Sequence, residues 1–276
     1  MQNTQDMIQR LNLSGSRLSK SHRRIAEYIL QHYDKAVFMT AAKLGEMVNV
    51  SESTVVRFAV ALGYEGYPEL QQALQELVRH RLTATQRFEM SSDISQEEVL
   101  STVLKADMQN IRSTIDGIDN AAFLRAVQVI SGARRIYILG LRSAAPLAQF
   151  AGYYLHYIFD DVRVVAAGST DVFEAISRIE ASDVLLGISF PRYSSRTIEA
   201  MSFARSRHAQ VIGLTDGPMS PLHEVADICL SMRTDMASFV DSMAAPMSVI
   251  NALIVALGIQ NREALNARFK QLEEVW

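Results

Sequence analysis

A segment rich in hydroxyl and guanidinium side chains follows a short apolar run in the second half of the chain. The run is Val184–Ile188, and the segment after it reads Ser189-Phe-Pro-Arg-Tyr-Ser-Ser-Arg-Thr197. Its side chains of ligand type are Ser189, Arg192, Ser194, Ser195, Arg196 and Thr197. Hydroxyls at the start of a helix can cradle a phosphate, and an arginine adds a charged fork. The pattern predicts an anion-binding loop; a polar turn in which Ser194 or Ser195 only caps a helix is the alternative.

A second candidate loop follows the apolar run 136–139. Gly140 would allow a close approach of the backbone, and Ser143 is expected to begin the next helix, with Arg142 between them. The GxGxxG pattern is absent here, so the loop does not predict a dinucleotide site, and a simple polar turn is the alternative. Weaker candidates for contact with a ligand are Glu174 and the helix cap Ser169-Thr170-Asp171.

The stretch 40–62 has the pattern of two helices joined by a tight turn. Thr40 and Ser51 can cap these helices, and Asn49 tolerates the left-handed backbone of a tight turn. Helical spacing predicts that the second helix buries Val55, Phe58, Ala59 and Leu62 and exposes Ser53, Thr54, Val56, Arg57 and Val60. A helix with small hydroxyl side chains and a single arginine suits the major groove of DNA.

The DNA interpretation assigns each exposed side chain a role. Ser51, Ser53 and Thr54 would bond phosphate oxygens, and Arg57 would reach a base edge or a further phosphate. Lys20 and Arg23 belong to a basic stretch nearby in the sequence and are expected to add phosphate contacts. The alternative is an ordinary helical hairpin, in which Ser51 is only a cap and Arg57 is only solvated.

The elements around these motifs predict two domains. Helical spacing runs through residues 3–11, 19–32, 40–48, 51–62 and 67–85, and again through 95–115 and 119–130. Later, short apolar runs at 136–139, 162–165, 184–188, 211–214 and 228–230 alternate with helix-length stretches at 143–159, 170–180 and 195–208. We therefore expect an all-α helix-turn-helix domain over 1–87, a linker and connecting helix over 88–115, and an α/β three-layer domain with a five-stranded parallel sheet over 116–276.

Composition narrows the class of protein. The 276 residues carry a net charge of −3, but residues 1–90 hold 11 Lys/Arg against 9 Asp/Glu, so the predicted DNA-facing part is the more basic one. The longest apolar run, 250–258, is about half the roughly 20 residues of a membrane span, and the first ten residues do not resemble an export signal. With one cysteine, Cys229, no internal disulfide is possible, and we expect a cytoplasmic protein without membrane contact.

Four segments together resemble the RpiR family of bacterial regulators. They are Leu18-Ser19, Ala26-Glu-Tyr-Ile-Leu30, Val50-Ser-Glu-Ser-Thr-Val-Val-Arg-Phe58 and Leu62-Gly-Tyr-Glu-Gly-Tyr-Pro-Glu-Leu70. The resemblance covers most of residues 10–258 and implies a C-terminal domain of the SIS type that binds phosphosugars at the two loops above. It also implies that a neighbouring subunit completes the pocket near Asp241 and Ser242, which are weaker candidates for ligand contact. Two departures stand out: Gly45, where alanine would favour the helix by about 1 kcal/mol, and the longer second loop with its Pro191-Arg-Tyr193 insertion.

The resulting expectation is a transcription regulator of carbohydrate metabolism, not an enzyme. Its expected partners are double-stranded operator DNA and a phosphorylated sugar, and it is expected to form a homodimer or homotetramer. A sugar-phosphate isomerase is the main rival, with Glu174 as the acid that could serve as its base. A scaffold protein without ligand is a third class. No spaced His or Cys pairs occur, so neither a metal nor another cofactor is predicted.

Overall fold

The computed structural model describes residues 19–37, 39–79, 85, 88, 94–166, 171–236 and 239–274. The chain divides into two compact units, Met1–Ile94 and Ser95–Trp276. Each unit is described by itself below. The predicted helix 3–11 and the cap residues Ser169 and Thr170 lie outside the described residues.

The described part of the first unit is helical. Its helices are α1 (Lys20–Gln31), α2 (Tyr33–Ala36), α3 (Ala41–Val48), α4 (Glu52–Ala61) and α5 (Tyr67–Arg79). The apolar spacing predicted all of these but the four-residue α2, which is too short for a periodic signal. Their core side chains are Ile25, Ile29, Leu44, Val55, Phe58, Leu70 and Leu74.

The turn between α3 and α4 forms as its residue types predict. Thr40 caps α3 by accepting a hydrogen bond from the Lys43 N–H at 3.2 Å, and Asn49 ends it with a left-handed backbone (φ 55°). Gly45 has a tertiary reason: a Cβ there would lie 2.7 Å from the carbonyl oxygen of Val50. The glycine therefore lets the turn fold back against α3, which outweighs its cost in helix propensity.

The second unit has five strands: β1 (Ile136–Gly140), β2 (Val162–Val165), β3 (Val184–Ile188), β4 (Gln210–Thr215) and β5 (Ile228–Ser231). Its helices are α6 (Val99–Gly117), α7 (Asn120–Ser131), α8 (Ala145–Leu155), α9 (Val172–Ile176), α10 (Ser195–Ser206), α11 (Leu222–Val225), α12 (Ala244–Gln260) and α13 (Arg262–Glu273).

All five strands are parallel and run in the order β2-β1-β3-β4-β5. Gly140 at the end of β1 pairs with Ile188 at the end of β3, so the two candidate loops leave the sheet side by side. Strand β2 neighbours β1 on one edge, and strand β3 neighbours it on the other, so the strand order reverses direction at β1. The loops therefore lie at the topological switch point, where open α/β sheets bind their ligands.

Two apolar layers confirm the three-layer architecture. The layer on one face joins the sheet to α7, α8 and α12 through residues such as Ile130, Leu147 and Leu253. The other joins it to α9, α10 and α11 through residues such as Ile176, Met201 and Leu222. The all-α helix-turn-helix unit followed by an α/β unit is thus the fold that the patterning predicted.

The start of the second unit differs from the sequence expectation. The helix predicted over 95–115 does not begin at Ser95: the Ser95 hydroxyl donates to Glu98 Oε2 at 2.9 Å, and α6 begins at Val99. Helix α6 packs against α12 and so belongs to the second compact unit. Helix α13 buries none of its residues fully, so its apolar side chains Leu265, Phe269 and Leu272 are not part of the core.

Among the described residues, no single helix is long and apolar enough to cross a bilayer. Helices α12 and α13 reach the necessary length only together, and they are bent by 98° at the break between them.

Candidate DNA-reading helix and anion site

Helix α4 presents the predicted side chains to solvent. Ser51, Ser53 and Arg57 are exposed, Thr54 is half-buried, and Val56 is exposed, whereas the predicted apolar face of the helix is buried. The exposed face is therefore polar at its first turn and mixed further along. This is the face that the sequence assigned to DNA.

The hydroxyls at the start of α4 bond one another. Ser51 is the N-cap residue, but its side chain accepts no backbone N–H, contrary to the capping prediction. Its Oγ lies 3.0 Å from the Ser53 Oγ and 2.8 Å from the Thr54 Oγ1. Arg57 donates to the same Thr54 oxygen at 3.4 Å. We call Ser51, Ser53 and Thr54 the hydroxyl cluster; its oxygens are held by each other and not by the helix backbone.

Helix α1 supports α4 and adds basic side chains. Lys20 and Arg23 are exposed on α1. His22 packs edge-on against Phe58, with ring centroids 5.6 Å apart, and burial together with the nearby Arg57 charge lowers the pKa of its imidazole. Arg24 donates to the carbonyl oxygen of Val48 at 2.5 Å and so fixes the end of α3. Helix α1 thus holds the turn and helix α4 in one arrangement.

In the second unit, the loop after β3 folds around its own hydroxyls. Ser189 is buried, and its Oγ accepts a hydrogen bond from the Ser194 N–H at 3.2 Å. Ser194 is the N-cap of α10 and accepts from the Thr197 N–H at 3.4 Å, as one of the two predicted caps. Ser195 is the first residue of α10 and is exposed.

Thr197 is the unusual residue of this loop. Its side chain is fully buried, and among the described residues its hydroxyl has no hydrogen-bond partner. A buried hydroxyl without a partner costs about 1–3 kcal/mol. Thr197 lies in the first turn of α10, where backbone N–H groups lack helical partners. A buried unpaired hydroxyl beside a helix N-terminus is a candidate donor for an anion.

The two arginines of the loop are placed differently. Arg196 donates to Asp171 Oδ2 at 2.6 Å, and its guanidinium lies 5.5 Å from the centre of the Phe173 ring. Arg192 is exposed and has a left-handed backbone (φ 64°). Such a conformation costs a residue with a Cβ of order 1 kcal/mol and is common at ligand sites. Arg192 marks the bend at which the loop turns back towards α10.

The loop after β1 only partly matches its prediction. Gly140 is buried, and a Cβ there would lie 2.5 Å from the Ala144 carbonyl oxygen, so the glycine serves internal packing. Ser143 does not begin the helix: it lies within a 3₁₀ turn, and Ala144 is the N-cap of α8. Arg142 is left-handed (φ 55°), and both Arg142 and Ser143 are exposed beside the loop after β3.

The weaker candidates for ligand contact have different surroundings. Asp171 caps α9 and pairs with Arg196, which brings it to the edge of the candidate anion site. Glu174 is exposed on α9. Ser242 donates to Asp107 of α6 at 2.6 Å. In the described part of the chain, no group of three or more His, Cys, Asp or Glu residues could hold a metal ion.

Two family models match the chain in the same order as the two units. A "Helix-turn-helix domain, rpiR family" model matches residues 5–80, and a SIS domain model matches residues 129–256. The chain belongs to the RpiR family of transcriptional regulators. Curated relatives of this RpiR-family protein include the HTH-type transcriptional regulators HexR of Escherichia coli, 26% identical over 98% of this chain and 93% of the relative, and of Pseudomonas aeruginosa, 26% identical over 98% and 95%.

Solved structures share the fold. The sugar isomerase domain of an RpiR transcription factor from Sphaerobacter thermophilus matches with a TM-score of 0.62 and 23% identity, covering 64% of this chain and 99% of that one. The Vibrio vulnificus NanR protein complexed with ManNAc-6P matches with a TM-score of 0.59 and 22% identity, covering 98% of both chains.

Sequence reasoning missed several contacts in this RpiR-family protein. His22 beside Phe58, Asp171 beside Arg196, and the hydrogen bond from Tyr193 to Asp216 join residues from different elements. Spacing along one helix or strand carries no signal for them. The left-handed backbone conformations of Arg142 and Arg192 also have no sequence signal, because few L residues adopt that conformation.

Proposed function

We propose that this regulator binds an operator through α4 and that a phosphorylated sugar, bound at the switch point of the second unit, changes its operator affinity. The observation that carries the sensor half is the buried Thr197 hydroxyl without a partner among the described residues. A phosphate oxygen that accepts hydrogen bonds from this hydroxyl and from the first N–H groups of α10 would remove the energetic cost of the unpaired hydroxyl.

We assign the remaining ligand contacts by position. Ser194, Ser195 and Arg196 surround the start of α10, and Ser189 holds the loop in shape. Arg192 in the loop after β3, and Arg142 and Ser143 in the loop after β1, would face the sugar, while Gly140 lets the loop after β1 pack closely at the end of its strand. Glu174, exposed on α9, would reach only the rim of the site.

The operator half rests on the exposed face of α4. The hydroxyl cluster can exchange its internal hydrogen bonds for phosphate oxygens at little cost, because it is already in contact with water. Arg57 lies one turn further along the helix and can reach a base edge, while Lys20 and Arg23 add charge from α1. We propose that a homodimer or homotetramer presents two such helices to a two-fold symmetric operator in the cytoplasm.

The test of the sensor is a thermal-shift and calorimetric panel on the full-length protein. The panel contains ManNAc-6P, glucose 6-phosphate, glucosamine 6-phosphate and arabinose 5-phosphate, each with its unphosphorylated sugar as the matched control. We expect at least one phosphosugar to raise the melting temperature while its parent sugar does not, because only the native state binds it. A flat response to every phosphosugar would contradict the sensor assignment.

The test of the regulator uses DNA. A duplex selected by the full-length protein from a random-sequence library is titrated with protein at fixed salt, with and without the phosphosugar that binds. We expect the ligand to change operator affinity by a factor of about 5–150, which corresponds to about 1–3 kcal/mol of coupling. Turnover of that sugar phosphate with no effect on DNA binding would instead favour the isomerase.

A further inference from the structure

The loop after β3 is tied to the loop after β4 by one side chain of the Pro191-Arg-Tyr193 insertion. The Tyr193 hydroxyl donates to Asp216 Oδ1 at 2.7 Å, while its ring packs against the apolar layer under α10. The Thr215 hydroxyl lies 3.2 Å from the same carboxylate oxygen. If the loop after β3 moves while the hydrogen bond from Tyr193 to Asp216 is kept, the end of β4 must move with it.

The end of β4 is in turn bonded to the segment that follows β5. The Met232 N–H donates to the Thr215 carbonyl oxygen at 2.9 Å, which extends the β4–β5 ladder beyond the strands. The next N–H, that of Arg233, donates to the Thr114 hydroxyl oxygen on α6 at 2.9 Å. A series of hydrogen bonds therefore connects the end of β4 to the segment after β5 and that segment to helix α6.

Asn110 clamps this segment to α6. Its side chain is 2% exposed, its Nδ2 donates to the Asp235 carbonyl oxygen at 2.7 Å, and its Oδ1 accepts from the Asp235 N–H at 2.9 Å. The amide therefore satisfies both backbone groups of one residue. A buried, fully satisfied pair of this kind resists separation, because breaking it would leave polar groups unpaired in the interior.

Helix α6 is the element that could transmit a conformational change from the second unit to the first, because it is the first helix after the boundary between them. It begins at Val99, shortly after the boundary between the two compact units at Ile94. We infer that Tyr193 is a coupling residue: it transmits occupancy of the anion site through Asp216, Thr215 and the segment after β5 to α6, and so to the DNA-binding unit. This inference rests on the proposed function and assigns a role to the insertion that distinguishes the loop.

The mechanism needs a loop that moves when the site fills. Phe190 and Pro191 are buried and Arg192 has a left-handed backbone, so the loop has one bend between an anchored start and Tyr193. An anion at the first turn of α10 would draw Ser194 and Ser195 towards it, and Tyr193 is the adjacent residue.

The decisive variant is Tyr193→Phe, which keeps the ring and removes the hydroxyl. Its phosphosugar affinity is measured by calorimetry, and its operator affinity is measured with and without the phosphosugar that the wild-type protein binds in the panel above. We expect binding of the sugar within about threefold of wild type and loss of most of its effect on operator affinity. Tyr157→Phe is the matched control, since Tyr157 packs against Phe269 on a different surface and should leave the effect intact.

Two further variants test the acceptor. Asp216→Asn keeps an oxygen that can accept from Tyr193 and should retain the effect, whereas Asp216→Ala should lose it in the same way as Tyr193→Phe. Hydrogen exchange of the α6 amides provides a readout without DNA: the phosphosugar should change their exchange rate in the wild type and in Asp216→Asn but not in Tyr193→Phe.

Each outcome bears on the inference. A Tyr193→Phe protein whose operator affinity still responds fully to the phosphosugar would overturn it, and so would a variant that no longer binds the sugar, because Tyr193 would then only shape the site. If the wild-type protein binds none of the phosphosugars, the proposed function itself fails, and that result precedes any measurement on a variant.

Discussion

The two units place serine and threonine hydroxyls at the start of a helix in opposite ways. At α4 the hydroxyls of Ser51, Ser53 and Thr54 face outward and bond one another. At α10 the hydroxyls of Ser194 and Thr197 are buried; Ser194 caps the helix, and Thr197 has no partner among the described residues. The residue types are nearly the same, but their burial differs.

Burial decides what each group of hydroxyls can bind. An exposed cluster gives up its internal hydrogen bonds at little cost and suits a large partner that arrives at a surface, such as the DNA backbone. A buried unpaired hydroxyl reduces stability until a partner accepts its hydrogen bond. The comparison therefore separates an exposed cluster that exchanges its hydrogen bonds with a partner from a buried hydroxyl that lacks a hydrogen-bond partner within the described residues.

Arg57→Ala tests the exposed side of the comparison with the largest expected effect. Because Arg57 is the basic residue on the exposed face of α4, we expect operator affinity to fall about 10- to 100-fold, or roughly 1–3 kcal/mol, with phosphosugar binding unchanged. Fluorescence titration at matched salt measures the change. Lys43→Ala is the control, because Lys43 pairs with Glu46 on α3 and should cost much less. Equal losses in the two variants would mean that α4 does not read DNA.

Thr197→Val tests the buried side. The change keeps the shape of the side chain and removes the unpaired hydroxyl, so we expect the free energy of unfolding to rise by about 1 kcal/mol while phosphosugar affinity falls about tenfold. Chemical denaturation and calorimetry measure the two changes. Ser206→Ala, at the other end of α10, is the control and should show neither the rise in the free energy of unfolding nor the fall in phosphosugar affinity. A variant that is less stable than wild type would show that the hydroxyl has a partner.

Gly45→Ala tests whether the turn before the exposed cluster is built by close packing. A Cβ would lie 2.7 Å from the Val50 carbonyl oxygen, so we expect the first unit to lose about 1 kcal/mol despite the better helix propensity of alanine. Hydrogen exchange of α3 and α4 measures the loss. Gly117→Ala in α6, where the added Cβ meets nothing within 4 Å, should be neutral or stabilising. A stabilised Gly45→Ala protein would refute the packing explanation.

Asp171→Asn gives the smallest expected effect. Asparagine keeps the cap of α9 but removes the charge that pairs with Arg196, so we expect phosphosugar affinity to rise about two- to threefold and stability to change by less than about 1 kcal/mol. Asp160→Asn is the matched control, since Asp160 pairs with Arg268 elsewhere in the same unit. A fall in affinity would instead mean that Asp171 contacts the sugar itself.

Local patterns in the sequence predicted most of the described elements. Helical spacing gave the buried face of α4, cap residues gave the starts of α3 and α10, and alternating short apolar runs gave the parallel strands. These signals succeed because they join residues within about four positions of each other or within one strand. The same local logic failed at Ser95 and Ser143, where a suitable cap residue does not begin a helix because the chain turns once more before it.

The tertiary structure decided which of these residues are paired. Tyr193 and Asp216 are 23 positions apart, Arg196 and Asp171 are 25 apart, and Thr114 and Arg233 are 119 apart. Such pairs depend on the strand order, which places the ends of β1 and β3 side by side and which no local pattern specifies. The sequence by itself determined two folds and the residue types at their helix starts; packing alone decided that one group of hydroxyls is open to water and that another encloses an unpaired donor, because burial is a property of the whole assembled unit.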